Sequence, residues 1–172
     1  MKILKFGGSS VANSANIKKV LQIIHESSKK QRDLVIVVSA LGGVTDTLLK
    51  TARLASERNH EYKTLIQSLF KQHNKIISEL VRTERQNEVL IEIKKKYGEL
   101  NNVLEEISLQ GELPLRALDE VASFGEQLSA FVINEAINSQ KNNCRFIDAR
   151  ALIKTDDNFG SANVNTEKTS EL

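Results

Sequence analysis

Three short segments carry residue types and spacings that suit anion and amino-acid chemistry. In Lys5-Phe6-Gly7-Gly8-Ser9-Ser10, two glycines follow a short apolar run and precede an amphipathic one. Backbone N–H groups in such a turn, joined to a helix start, form an anion site. Lys5 interrupts the apolar run, and burying its ammonium without a partner would be costly, so a polyanion at the end of the run would relieve that cost. An edge-strand lysine before a plain tight turn is the structural alternative. The segment is neither a P-loop nor a dinucleotide fingerprint, because G-x-x-x-x-G-K-[ST] and G-x-G-x-x-G are both absent.

The second segment, Ser39-Ala40-Leu41-Gly42-Gly43-Val44-Thr45-Asp46-Thr47, closes another apolar run with glycines and hydroxyls. Ligands of open α/β sheets bind beyond the carboxyl ends of strands, so two such endings are more informative than one. Thr45 and Asp46 also suit plain N-capping of the following helix. The third segment is Ser123-Phe124-Gly125-Glu126-Gln127-Leu128-Ser129. A glycine inside a helical pattern costs about 1 kcal/mol relative to alanine, so the spacing predicts a close approach at Gly125. Glu126 beside it suits a cationic group such as a substrate ammonium. A packing glycine beside a solvated acid is the simpler reading.

The elements that must hold these segments follow from periodicity. Ile3-Leu4-Lys5-Phe6 and Leu34-Val35-Ile36-Val37-Val38 read as strands, the second without polar alternation, as expected of a central parallel strand covered on both faces. Arg145-Phe146-Ile147-Asp148 is a weaker third candidate. Between the first two lies a helix with Ile17, Val20, Leu21 and Ile24 on one face and Asn13 or Ser14 as N-cap. Strand, glycine turn and helix, repeated, indicate an α/β layered fold with a mainly parallel sheet.

Residues 51–138 read as helix almost throughout. Leu65, Leu69, Ile76 and Leu80 form one row, beside Ile66, Phe70, Ile77 and Val81. Leu90, Ile93, Tyr97, Leu100, Leu104 and Ile107 then recur at alternating three and four spacing, with Arg82–Asn87 expected as the turn. A further helix is predicted from Leu115 to Asn138. His73 falls on the apolar row as a core-edge histidine, because no ligand cluster accompanies it. His25 and His60 are expected to face solvent.

Composition sets outer bounds. The 172 residues hold 24 Lys+Arg against 22 Asp+Glu, a net charge of +2 that argues against phosphate-neutralising nucleic-acid binding. The single cysteine, Cys144, excludes an internal disulfide framework and suits a reducing compartment. With no membrane-length apolar run, the expectation is one soluble, cytoplasmic domain.

Taken in order, K-F-G-G-S-S-V-A-N, V-V-S-A-L-G-G-V-T-D-T-L-L, S-F-G-E-Q-L-S-A and F-I-D-A-R-A-L-I-K-T-D-D-N-F-G-S-A-N-V resemble the aspartate kinases of the amino-acid kinase family. The resemblance covers about residues 1–166, and the helical block with I-S-L-Q-G-E-L is similar to the bifunctional aspartate kinase–homoserine dehydrogenase type. It implies a three-layer αβα domain with a helical insertion at about 56–112. It also implies ATP-dependent phosphorylation of the β-carboxylate of L-aspartate with Mg²⁺, at the head of lysine, threonine and methionine synthesis. Carried over by motif, Lys5 would be catalytic at the transferring phosphates, and Gly7, Gly8 and Ser9 would complete the phosphate turn. Ser39, Thr45 and Glu126 would hold the aspartate. The family's Gly-Arg-Gly-Gly-Ser-Asp segment is not found in this sequence. The chain is therefore expected to be the truncated, N-terminal, substrate-binding part of a longer enzyme, homo-oligomeric when whole and inactive as this piece. Alternatives are a family member acting on another carboxylate or carbamate, and a non-enzymatic helical interaction module.

Overall fold

The first strand, β1 (Lys2–Phe6), pairs in parallel with β2 (Leu34–Val38), Lys2 opposite Leu34 and Phe6 opposite Val38. This in-register pairing brings both glycine-bearing segments to the same end of the sheet. The computed structural model describes residues 1–31, 33–140 and 142–171. Helix α1 (Ser14–Lys30) connects the strands after a single 3-10 turn at Gly8–Val11. Asn13 is its N-cap, its Oδ1 accepting the Asn16 amide at 3.0 Å. Val11, Ile17, Val20, Leu21 and Ile24 are buried, so the predicted face is the one that packs.

Contrary to the expectation for β2, only one face of the sheet is covered among the described residues. Leu4, Phe6, Leu34, Ile36 and Val38 pack against the core, while Ile3, Val35 and Val37 are exposed at 59, 43 and 46%. Lys5 shares this open face, so its ammonium reaches water and the expected burial cost does not arise.

Helices α2 (Val44–Ser56), α3 (Glu61–Leu80), α4 (Thr83–Gln110) and α5 (Leu115–Asn138) build the rest of the core. From α2 onward, Leu48, Ile77, Ile93, Leu100, Leu104, Val121, Leu128 and Val132 are at 0% exposure, which makes this block one continuous apolar interior. The α3–α4 turn is shorter than the predicted Arg82–Asn87. Gln86 folds back and donates to the carbonyls of Ser78 and Val81, allowing α4 to start at Thr83. On α4, Val89 rather than Leu90 is the fully buried residue. Gly111 closes α4 at φ +73°, where the Arg58 guanidinium donates to the Leu109 carbonyl at 3.4 Å.

His73 lies inside the core rather than at its edge. Its Nδ1 sits 2.9 Å from the Leu69 carbonyl and 3.0 Å from the Tyr97 hydroxyl, and Nε2 has no partner. Burial holds its pKa below the ordinary 6.5, because charging the ring would strand an ammonium-like donor in apolar surroundings. His25 and His60 are exposed.

The third strand candidate is not a strand. Residues 145–148 form no ladder with a described strand, and just before them the Asn138 side chain takes both backbone polar groups of Cys144. Two short helices follow, α6 (Ala149–Leu152) and α7 (Thr166–Ser170). The second falls in the polar stretch that ends the sequence, of which Leu172 lies outside the described residues.

Candidate functional site

At the carboxyl end of the sheet the chain leaves β1 through Gly7-Gly8 and β2 through Ser39-Ala40-Leu41-Gly42-Gly43. The Ser39 amide donates to the Phe6 carbonyl at 3.0 Å, extending the pairing one step past the strands. Ser10 then donates to the Gly7 carbonyl at 2.9 Å, which folds the first turn. At the start of the 3-10 turn the Gly8 and Ser9 amides have no acceptor within it, leaving N–H groups for another partner. The Ser9 carbonyl is held by Asn16 Nδ2 at 2.8 Å, a support that only its spacing from Asn13 hints at in the sequence.

The two turns interlock through missing side chains. A methyl group on Gly8 would lie 3.2 Å from the Ala40 carbonyl oxygen and 4.0 Å from Ser39 Oγ. One on Gly42 would meet the Ala12 methyl at 2.7 Å. Lys5 Nζ stands 4.0 Å from the corresponding position on Gly7, so the ammonium lies beside the glycine turn.

Gly43, at φ +77°, is the N-cap of α2, a backbone state that favours glycine. Thr45 and Asp46 therefore sit inside the first turn of α2 and not at its cap. Thr45 is half-buried and Asp46 exposed. The helix start is completed by Thr47, whose Oγ1 donates to the Gly43 carbonyl at 2.8 Å.

Helix α5 supplies the third segment. The close approach predicted at Gly125 is made by Ala40, whose methyl would be 2.9 Å from a methyl on Gly125, with Thr45 Oγ1 at 3.7 Å. This contact sets Glu126 against the second turn, and its Oε1 accepts the Ala40 amide at 3.3 Å. No described cation forms a salt bridge with Glu126. Its side chain is exposed, with one oxygen tied to backbone and the other free to accept a donor.

Gly8, Ser39, Thr45 and Glu126 thus converge around Ala40, with Gly7, Ser9 and Lys5 on the neighbouring turn. Ala40 itself was not singled out in the sequence. Its role uses only a backbone N–H and a small methyl, neither of which has a side-chain signature.

The turn amides and the Lys5 ammonium fit an anionic group such as a phosphate chain. Glu126 with the Thr45 and Ser39 hydroxyls fits a small ligand bearing an ammonium. Among the described residues no cluster of three or more His, Cys, Asp or Glu could hold a metal ion.

Comparison with known proteins shows the family of the chain and the fold it shares. A model of the amino acid kinase family matches residues 1–172. The bifunctional aspartokinase/homoserine dehydrogenase of Buchnera aphidicola is 28% identical across 99% of this chain and 21% of its own length. Aspartokinase 2, chloroplastic, of Arabidopsis thaliana is 33% identical across 94% of this chain and 29% of its own. The crystal structure of E. coli aspartokinase III in complex with aspartate and ADP superposes with a TM-score of 0.84 over 99% of this chain and 36% of that one, at 23% identity. The chain therefore spans between about a fifth and a third of the proteins it resembles.

Proposed function

The chain belongs to the amino acid kinase family, and from that premise we propose that it is the acceptor-binding part of an ATP-dependent L-aspartate kinase. The observation that carries this reading is the Glu126 carboxylate, anchored by one oxygen to the Ala40 amide and unpaired with any described cation, beside two interlocked glycine turns. Such a carboxylate suits the ammonium of an amino acid. Ser39 and Thr45 supply hydroxyls that would fix the substrate carboxylates, and Lys5 with the amides of Gly7, Gly8 and Ser9 would hold the transferring phosphates.

ATP, when bound, supplies the γ-phosphoryl group that the β-carboxylate oxygen of aspartate attacks. The chain's own contribution is positioning and charge stabilisation, which is most of what phosphoryl transfer requires. Mg²⁺ would arrive on the phosphates, as is usual for nucleotide-bound magnesium. The named aspartokinase relatives support the choice of acceptor, and the single cysteine supports a reducing, cytoplasmic setting. Homo-oligomerisation of the whole enzyme belongs to the same proposal.

The test is an amide NMR titration of the labelled chain with L-aspartate, with D-aspartate and L-glutamate as controls. Selective shifts at Gly8, Ala40, Gly42 and Gly125 with L-aspartate alone are expected. Equal shifts with L-glutamate, or none with any of the three, would overturn the assignment of this site to aspartate.

A further inference from the structure

Beyond α5 the chain returns along that helix as an arm, residues 142–165, and its contacts with Phe131, Gln127 and Asp119 of α5 fall on a single stripe. Phe146 meets Phe131 edge-on with ring centroids 5.9 Å apart. The Arg150 guanidinium donates to Gln127 Oε1 at 2.9 Å, and Gln127 Nε2 passes the chain of bonds to Ser123 Oγ at 3.0 Å. The Gly160 amide donates to Asp119 Oδ2 at 2.7 Å. Asp119, Ser123, Gln127 and Phe131 recur every four residues, which places them on one helix face. Glu126, three residues after Ser123, borders that face.

Two features make the Gln127–Arg150 bond more than a surface contact. Gln127 is only 7% exposed, so losing the Arg150 donor would leave a buried Oε1 without its partner. Asp148 accepts from Arg150 Nε at 3.1 Å and from its Nη2 at 2.7 Å, so the guanidinium charge is paired with Asp148 and forms no ion pair with Glu126. The arm is also bonded to itself, through the Thr155–Val164 bridge and the Asp156 carboxylate, which accepts from Asn158 and Asn163. It therefore docks as a unit.

We propose that Gln127 and Arg150 are positioning residues for the Glu126 site, seating the arm along α5 as one wall beside that carboxylate. The wall's purpose rests on the aspartate reading above; its existence does not. Because Arg150 pairs with Asp148 and no described cation forms a salt bridge with Glu126, the free oxygen of Glu126 is left to the substrate.

The test compares the full chain with Gln127→Leu, which keeps the bulk and loses the acceptor, and Gln127→Glu, which restores an acceptor. In Gln127→Leu, hydrogen exchange at Gly160, Ile153 and Asn165 should accelerate by about tenfold or more, as for a locally released segment, while α3 and α4 amides hold their rates. The Ala40 amide resonance should move as its bond to Glu126 loosens. Gln127→Glu should reverse both changes. Should Gln127→Leu lose protection throughout, Arg150→Met at the half-exposed end of the same bond gives the same readings. Arm amides exchanging at the wild-type rate in the folded variant, or no rescue by Gln127→Glu, would overturn the proposal. If the wild-type chain ignores L-aspartate while the variant still loosens the arm and shifts Ala40, the positioning role stands and the aspartate reading falls.

Discussion

Glu126 accepts the amide hydrogen of Ala40 at 3.3 Å across 86 positions of sequence, and the contact that allows it is Gly125 against the Ala40 methyl. The carboxylate is therefore aimed by packing one residue earlier, not by its own helix alone. Four predictions follow from this arrangement and from the core beneath it.

Substituting Gly125 with alanine should destabilise the chain although alanine is the better helix former. The new methyl would sit 2.9 Å from Ala40 Cβ and 3.4 Å from Leu48 Cδ1, both in the interior. Overpacking costs about 1–3 kcal/mol, and the helix-propensity gain offsets about 1 kcal/mol of it. Gly98 on α4 has nothing within 4 Å, so Gly98→Ala should stabilise by about 0.5–1 kcal/mol. Urea denaturation of both variants should show opposite signs; a shared sign would mean that the Ala40 contact is soft.

Replacing Glu126 with glutamine should retain an acceptor for the Ala40 amide and remove the charge. Stability is expected to change by less than about 0.5 kcal/mol, as for an exposed site. L-Aspartate-induced shifts should disappear. Persistence of those shifts in Glu126→Gln would assign the ammonium to another group.

Lys5→Gln separates function from folding on the first turn. The side chain is exposed on the open sheet face, so the denaturation midpoint should not move. Weakening of ADP- or phosphate-induced shifts at Gly7 and Gly8 is the expected outcome. Unaltered shifts would leave the turn amides as the sole anion contacts.

His73 makes stability depend on pH in a defined direction. Its folded pKa lies below 6.5, so below that pH the unfolded chain binds more protons than the folded one. Stability should be full above about pH 6.5 and decline as pH falls through the window between 6.5 and the lowered folded value. His73→Leu should flatten this part of the pH profile, measured by thermal denaturation, even though it also leaves the Tyr97 hydroxyl without its Nδ1 partner.

Much of the fold is written in local pattern. Helix α5 runs over the predicted Leu115–Asn138 because Pro114 marks its entry and an apolar stripe sustains it. The α1 face and the α4 row of Ile93, Tyr97, Leu100, Leu104 and Ile107 emerged for the same reason: helical burial repeats within the segment itself. The glycine turns at Gly7-Gly8 and Gly42-Gly43 and the close approach at Gly125 were likewise visible.

What approaches them was not. That Ala40 fills the space at Gly125, Ala12 the space at Gly42, and Gln127 the reach of Arg150 depends on how separate segments of the chain pack. The Arg145–Asp148 run has strand-like residues, yet Asn138 captures the adjoining backbone at Cys144 and the run pairs with no strand among the described residues. The open face of Ile3, Val35 and Val37 was equally hidden, because an apolar run records a preference for burial and not what supplies it. Periodicity is a property of a segment and is fixed by covalent order. Strand partners, close contacts and the orientation of a carboxylate are relations between segments, and only packing in three dimensions decides them.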